Sequence, residues 1–365
     1  MSKLDEISIK GYKSIKELNL NLNYLNVLIG ANGAGKSNFI SFFKILNNLV
    51  NENLQNAIAK SGGADRLFFF GPSTTEEISF SLKFKKNSYF VTWKLSDDGR
   101  MYFYSEKSGF IGQGYLQPLI KELGKGHFET LLLSESKSAR NRVVEDYIIE
   151  NLSEWKVYHF HDTSDTSKLK MNVELENNDF FKEDGSNLAS YLYLLKKKYP
   201  ENYKNILQTV QLVAPFIKDF YLVPSKLNEN LIRLRWVSKQ DNTQFDVSQL
   251  SDGTLRFICI AVLLLQPNLP STIILDEPEL GLHPFAINIL SSLFKTTSLK
   301  TQIIISTQSL LLMDNFEPKD IIVVDYINNE SLFKRLDNSS FEEWLEDYTL
   351  GELWEKNLLG GRPRI

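Results

Sequence analysis

The sequence predicts an α/β fold with a mixed, mainly parallel core sheet, and three observations carry that prediction. A short apolar run at residues 25–29 feeds a glycine-rich loop and then apolar residues at helical spacing, Phe39, Ile40, Phe43 and Leu46, giving the order strand, loop, helix. Short β-branched runs at residues 272–275, 303–305 and 321–324 alternate with polar stretches, as expected of strands buried on both faces. Between these ends Ile78, Phe80, Leu82 and Phe84, then Tyr89, Val91, Trp93 and Leu95, alternate almost strictly, which predicts an antiparallel meander turning at residues 97–99.

The remaining elements follow in order. Ile7 and Ile9, then Leu18, Leu20 and Leu22, are separated by polar residues, as in short half-buried strands. Residues 107–185 show no period that assigns them. Leu188, Leu192 and Leu195 define an amphipathic helix that Pro200 stops, and Tyr203, Ile206, Leu207, Val210 and Val213 a second one ended by Pro215, together a helical hairpin. No heptad is sustained, so a long coiled-coil arm is not expected.

Composition narrows the class. With 365 residues, 42% hydrophobic and 24% charged, the chain can bury a large core. No run of uncharged apolar residues reaches membrane-spanning length, and MSKLDEISIKGYK lacks the apolar stretch of a secretory signal, so a cytoplasmic location and no membrane contact are expected. The single cysteine, Cys259, excludes an intrachain disulfide and a cysteine-based zinc site. A net charge of −4 gives no global attraction to nucleic acid.

Three motifs carry chemistry. Gly30-Ala31-Asn32-Gly33-Ala34-Gly35-Lys36-Ser37 satisfies the phosphate-loop pattern G-x-x-x-x-G-K-[ST]. Its glycines let backbone N–H groups wrap phosphates, and the helix that follows directs its positive end at them. Asn32, Gly33, Gly35, Lys36, Ser37 and Asn38 are the expected nucleotide ligands. Lys36 reaches the β- and γ-phosphates, and Ser37 offers a hydroxyl to Mg2+. The strand at 272–275 ends in Asp276 and Glu277, a pair that divides labour: Asp276 to hold Mg2+ through water, Glu277 for orienting or deprotonating the attacking water. Leu250-Ser251-Asp252-Gly253-Thr254-Leu255-Arg256 precedes a strongly apolar helix, which places Ser251 and the nearby amides at a positive helix end suited to a γ-phosphate.

With these segments and the opening Ile9-x-x-Tyr12-Lys13-Ser14-Ile15, the chain resembles the ABC ATPases, and within them the SMC, RecF and OLD-like branch. The resemblance implies a P-loop NTPase head of ABC type, an ATPase using ATP and Mg2+, working as a homodimer or higher even oligomer. Two heads face head to tail, and Ser251 and Gly253 of one contact the nucleotide of the other. Asp252 departs from the commoner glycine. Glu279-Leu280-Gly281-Leu282-His283-Pro284 resembles the loop that links the two sites, with His283 structural or interfacial. Gln308 stands where many relatives place a γ-phosphate-sensing histidine; its amide still donates a hydrogen bond but cannot become charged. Gln55 is the nearest candidate for the glutamine-loop residue.

The lobes are then residues 1–106 and 246–335 for the head, 107–245 for an inserted mixed and helical lobe, and 336–365 for a helical tail. Trp155 to Asp162, Asp184 to Ala189 and Leu350 to Pro363 resemble segments of compact bacterial ATPases of phage-defence operons. His159 and His161, alternating with Tyr158 and Phe160, read as strand residues rather than metal ligands. The implied role is an ATP-gated DNA-transaction or defence ATPase with a nuclease-like partner effector. The other functions weighed are a transporter motor subunit and a slowly hydrolysing scaffold. The basic clusters at 83–86, 196–198 and 362–364 are candidates for DNA contact.

Overall fold

The computed structural model describes residues 3–112, 117–138, 143–337, 344 and 346–361; the cluster Arg362-Pro363-Arg364 lies outside the described residues. The chain divides into two units, one of residues 1–157, 270–274 and 301–365, the other of residues 158–269 and 275–300.

The first unit is built on two six-stranded sheets. One is antiparallel throughout, in the order Ile15–Asn21, Glu6–Tyr12, Glu77–Phe84, Asn87–Leu95, Met101–Phe110, Leu119–Gly124. Ile9 stands opposite Leu18 on one side and Phe80 on the other, so the alternating apolar residues share one buried face. The predicted meander is therefore present but longer than its sequence signal. A bulge between Thr92 and Trp93 shifts the pairing with Met101–Phe110, and Leu119–Gly124 is an exposed edge strand, so neither continues a simple apolar alternation. Within this sheet the buried Glu106 carboxylate accepts hydrogen bonds from Tyr89 Oη, Thr130 Oγ1, His127 Nε2 and the Leu131 N–H. A buried carboxylate is tolerated because its lone pairs are met.

The other sheet has the order Glu330–Arg335, Ile321–Ile327, Leu25–Ile29, Gln302–Thr307, Thr272–Asp276, Trp155–Tyr158. Leu25–Ile29 runs parallel to both neighbours, with Val27 opposite Ile305 and Ile321, and Glu330–Arg335 adds an antiparallel edge. This is the mixed, mainly parallel sheet read from the β-branched runs. Helix Lys36–Val50 packs its aromatic residues on both sides: Phe42 lies 5.2 Å from Phe80 and 5.1 Å from Tyr12, Phe43 5.1 Å from Trp155, and Phe39 5.4 Å from Phe333. Each buried ring contributes roughly 2–3 kcal/mol, and the edge contacts add about 0.5–1.5 kcal/mol per pair. The start of this helix is thereby fixed.

The second unit holds the helices Leu188–Lys198 and Pro200–Val213, the hairpin expected from their periodicity, with a small sheet ordered Ile217–Tyr221, Arg235–Ser238, Gln244–Asp246. Pro200 occupies the first turn of the second helix, where its missing N–H costs nothing. Helix Asp252–Leu265 is buried along most of its length, and Pro284–Ser298 packs against it. Among the described residues no helix is long and apolar enough to cross a membrane.

Candidate functional site

The phosphate loop grows out of a strand whose five residues are all buried. Gly30 lies so close to the Val324 carbonyl oxygen that any Cβ there would overlap it, so only glycine fits where the chain leaves the sheet. Asn32 and Gly33 are exposed, whereas Ala34, Gly35 and Lys36 are buried. Gly35, in the left-handed region at φ 113°, starts helix Lys36–Val50 without a capping side chain, so the first helical N–H groups face the loop. Lys36 folds back over it: Nζ donates to the carbonyl oxygens of Gly30 at 2.6 Å and Ala31 at 3.0 Å. Ser37 is exposed beside it.

The loop is braced by the first hairpin. Asn38 Nδ2 donates to Ser14 Oγ at 2.7 Å, Ser331 Oγ lies 2.7 Å from the same hydroxyl, and the Ser331 N–H donates to the Ser14 carbonyl at 2.7 Å. The Asn38 side chain is thus committed to the protein. Lys13 donates from Nζ to Ser41 Oγ at 2.8 Å, and burial together with nearby Lys44 lowers its pKa.

In the second unit Ser251 caps helix Asp252–Leu265: its Oγ accepts from the Thr254 N–H at 3.2 Å and remains exposed. Gly253 has a packing reason as well as the expected nucleotide role, since a Cβ there would overlap the Gly281 carbonyl oxygen. Arg256, quoted in the motif without an assigned role, fastens three backbone carbonyls: Phe160 at 3.2 Å, His161 at 2.9 Å and Leu280 at 2.7 Å. The guanidinium fork suits this task, because it offers several fixed donors at once.

Strand Thr272–Asp276 is buried up to Leu275, and Asp276 is half-buried. Glu277 follows at φ 44°, a left-handed conformation that costs a non-glycine residue about 1–2 kcal/mol. Strain of this kind is kept where the surroundings over-determine the backbone. A cavity of about 10 Å³ lies against Asp276 and Glu277, walled by Arg256, His161 and Phe160. That is room for about one water molecule. His283 caps helix Pro284–Ser298, its Nδ1 accepting from the Phe285 N–H at 3.3 Å.

Residues 25–314 match the protein family described as "AAA domain, putative AbiEii toxin, Type IV TA system". The chain belongs to this family. Its fold is that of SMC heads. An SmcHead bound to the C-winged helix domain of ScpA is 13% identical, covering 93% of this chain and 99% of that one, with a TM-score of 0.61. An Smc head domain with an extended coiled coil, bound to the C-terminal domain of ScpA derived from Pyrococcus furiosus, is 14% identical, covering 95% and 99%, with a TM-score of 0.59. Nothing among the curated proteins matches. The chain is therefore an AAA domain with the fold of SMC heads.

Within this AAA domain the other expected residues fall as follows. Gln308 is half-buried just beyond the fully buried strand Gln302–Thr307, and Ser309 caps the short helix Leu310–Met313. Gln55 is fixed in packing: Nε2 donates to the carbonyls of Met101 at 2.9 Å and Phe128 at 2.8 Å, which gives its amide a structural task and leaves the glutamine-loop position unassigned. The strand expected through His159 and His161 stops at Tyr158; the Glu183 carbonyl accepts the His159 N–H and Arg256 takes the next two carbonyls. Among the described residues no group of three or more His, Cys, Asp or Glu is placed to hold a metal ion. Cys259 is fully buried, and burial pushes its thiol pKa up, so it packs as a small apolar residue.

Proposed function

We propose that this chain binds and hydrolyses ATP in sites shared head to tail by two copies, and that opening and closing of the pair gates a DNA-transaction or phage-defence activity of a nuclease-like effector. The supporting observation is the phosphate loop itself: Gly30 seated on the sheet, Lys36 folded over the loop, and helix N–H groups facing it. Phosphates take the N–H groups of Asn32, Gly33, Gly35, Lys36, Ser37 and Asn38, and Lys36 turns from the carbonyls of Gly30 and Ala31 to the β- and γ-phosphates.

The donors suit Mg2+: the Ser37 hydroxyl would ligate it and the Asp276 carboxylate would hold it through water, both being hard oxygen donors. Bound there, it would neutralise charge building on the phosphates. Glu277 orients the attacking water and accepts its proton, and Gln308 donates a neutral hydrogen bond to the γ-phosphate or that water. Ser251, Gly253 and the amides at the start of helix Asp252–Leu265 close the site of the other copy.

The family description speaks of a toxin of a type IV system and the solved relatives carry ScpA domains, which supports action through a partner protein. DNA is the candidate further ligand. Because each site draws on two chains, we expect the Mg2+-dependent ATPase rate per chain to rise with protein concentration and level off once dimers form. A rate per chain independent of concentration, in a preparation that light scattering shows to be monomeric, would contradict the shared site.

A further inference from the structure

We propose that residues 349–361 form a strap that holds the phosphate loop in its nucleotide-ready shape, so that nucleotide affinity is governed by whether this strap is docked. The inference rests on reading residues 30–37 as the ATP site, and every contact that carries it lies in the first unit. At one end, Thr349 and Glu352 cap helix Leu350–Glu355 reciprocally, Leu350 and Leu353 are buried, and the Gly351 N–H donates to Asp314 Oδ1 at 2.5 Å. Asp314 ends helix Leu310–Met313, whose cap, Ser309, directly follows Gln308. At the other end Leu359 is buried, and the Gly361 carbonyl accepts the Ala31 N–H at 2.8 Å.

The Ala31 residue is thereby held from two sides, its N–H by Gly361 and its carbonyl by Lys36. Gly361 reaches it only as glycine: its φ is 79°, and a Cβ would stand 2.9 Å from Val323 Cγ1 and 3.0 Å from Trp354 Nε1. A loop ordered before its ligand arrives spends less binding energy on ordering. Undocking the strap shifts that ordering to the binding step. The strap also joins the segment after Gln308 to the phosphate loop through one continuous stretch of chain, so a partner that pulled on residues 349–361 would loosen ATP without touching it. This makes Gly361 and Asp314 positioning residues.

The test compares the full chain with Gly361→Ala and Asp314→Ala, which release the strap at opposite ends, and with Leu358→Gln, an exposed position on the same segment. The readouts are hydrogen exchange of the Ala31 amide, ADP affinity by calorimetry, and kcat at saturating ATP. Both releasing variants are expected to speed Ala31 exchange and to raise the Kd for ADP about five- to tenfold, the weight of one hydrogen bond. Their kcat stays within about twofold, and Leu358→Gln matches the unmodified chain. The strap is refuted if exchange speeds up while Kd stays within twofold, if exchange does not change, or if kcat falls with Kd unchanged. An unmodified chain that binds no ADP overturns the ATP-site reading beneath it, a result distinct from any of these.

Discussion

In Lys36→Ala, nucleotide affinity should fall by about a hundredfold or more, the weight of charge-assisted hydrogen bonds to phosphate. The ammonium is buried and lies on the carbonyls of Gly30 and Ala31, so it stands over the loop before any ligand is present. Its removal takes away the only cation of residues 30–37. The helix behind the loop keeps its aromatic packing through Phe39, Phe42 and Phe43, so thermal unfolding of the apo chain should change little. Calorimetry with ADP and ATP measures the first expectation and a melting curve the second. Near-native affinity in a folded variant would remove the phosphate-loop assignment.

Glu277→Gln should lower kcat by about a hundredfold to ten-thousandfold, the range for a lost general base, while leaving ATP affinity close to that of the unmodified chain. Glutamine keeps the size of the side chain, so the strained backbone at φ 44° and the small cavity beside it are retained. What is lost is the ability to accept a proton from water. ATP then persists, and the ATP-bound dimer should accumulate in light scattering with saturating ATP and Mg2+. A variant that hydrolyses at the unmodified rate would place the base elsewhere.

The parts of the fold that follow a simple period were legible in the sequence. Leu25–Ile29 and Gln302–Thr307 are buried on both faces and therefore carry the unbroken apolar runs at residues 27–29 and 303–305, and Glu77–Phe84 alternates because one face meets the core. Met101–Phe110 was not legible, because its bulged pairing breaks the alternation and its buried Glu106 reads as a surface residue until its donors are seen. The strand drawn through His161 ends early, because Arg256, 95 positions away, takes the carbonyls that would have continued it. The loop motif and the two carboxylates are local in sequence and could be read directly. Their supports are not: Ser331 on Ser14, Gly281 under Gly253 and Gly361 on Ala31 join residues far apart in the chain.

The most direct measurement mixes two inactive chains. Ser251→Arg keeps its own phosphate loop but cannot complete the site of its neighbour, and Lys36→Ala does the reverse. If the twin copies share their sites by two-fold symmetry, half of the randomly formed pairs are mixed and each carries one intact site, so an equimolar mixture should regain about a quarter of the unmodified ATPase rate. A mixture as inactive as its components, although both chains fold and associate, would contradict the shared site on which the proposed mechanism stands.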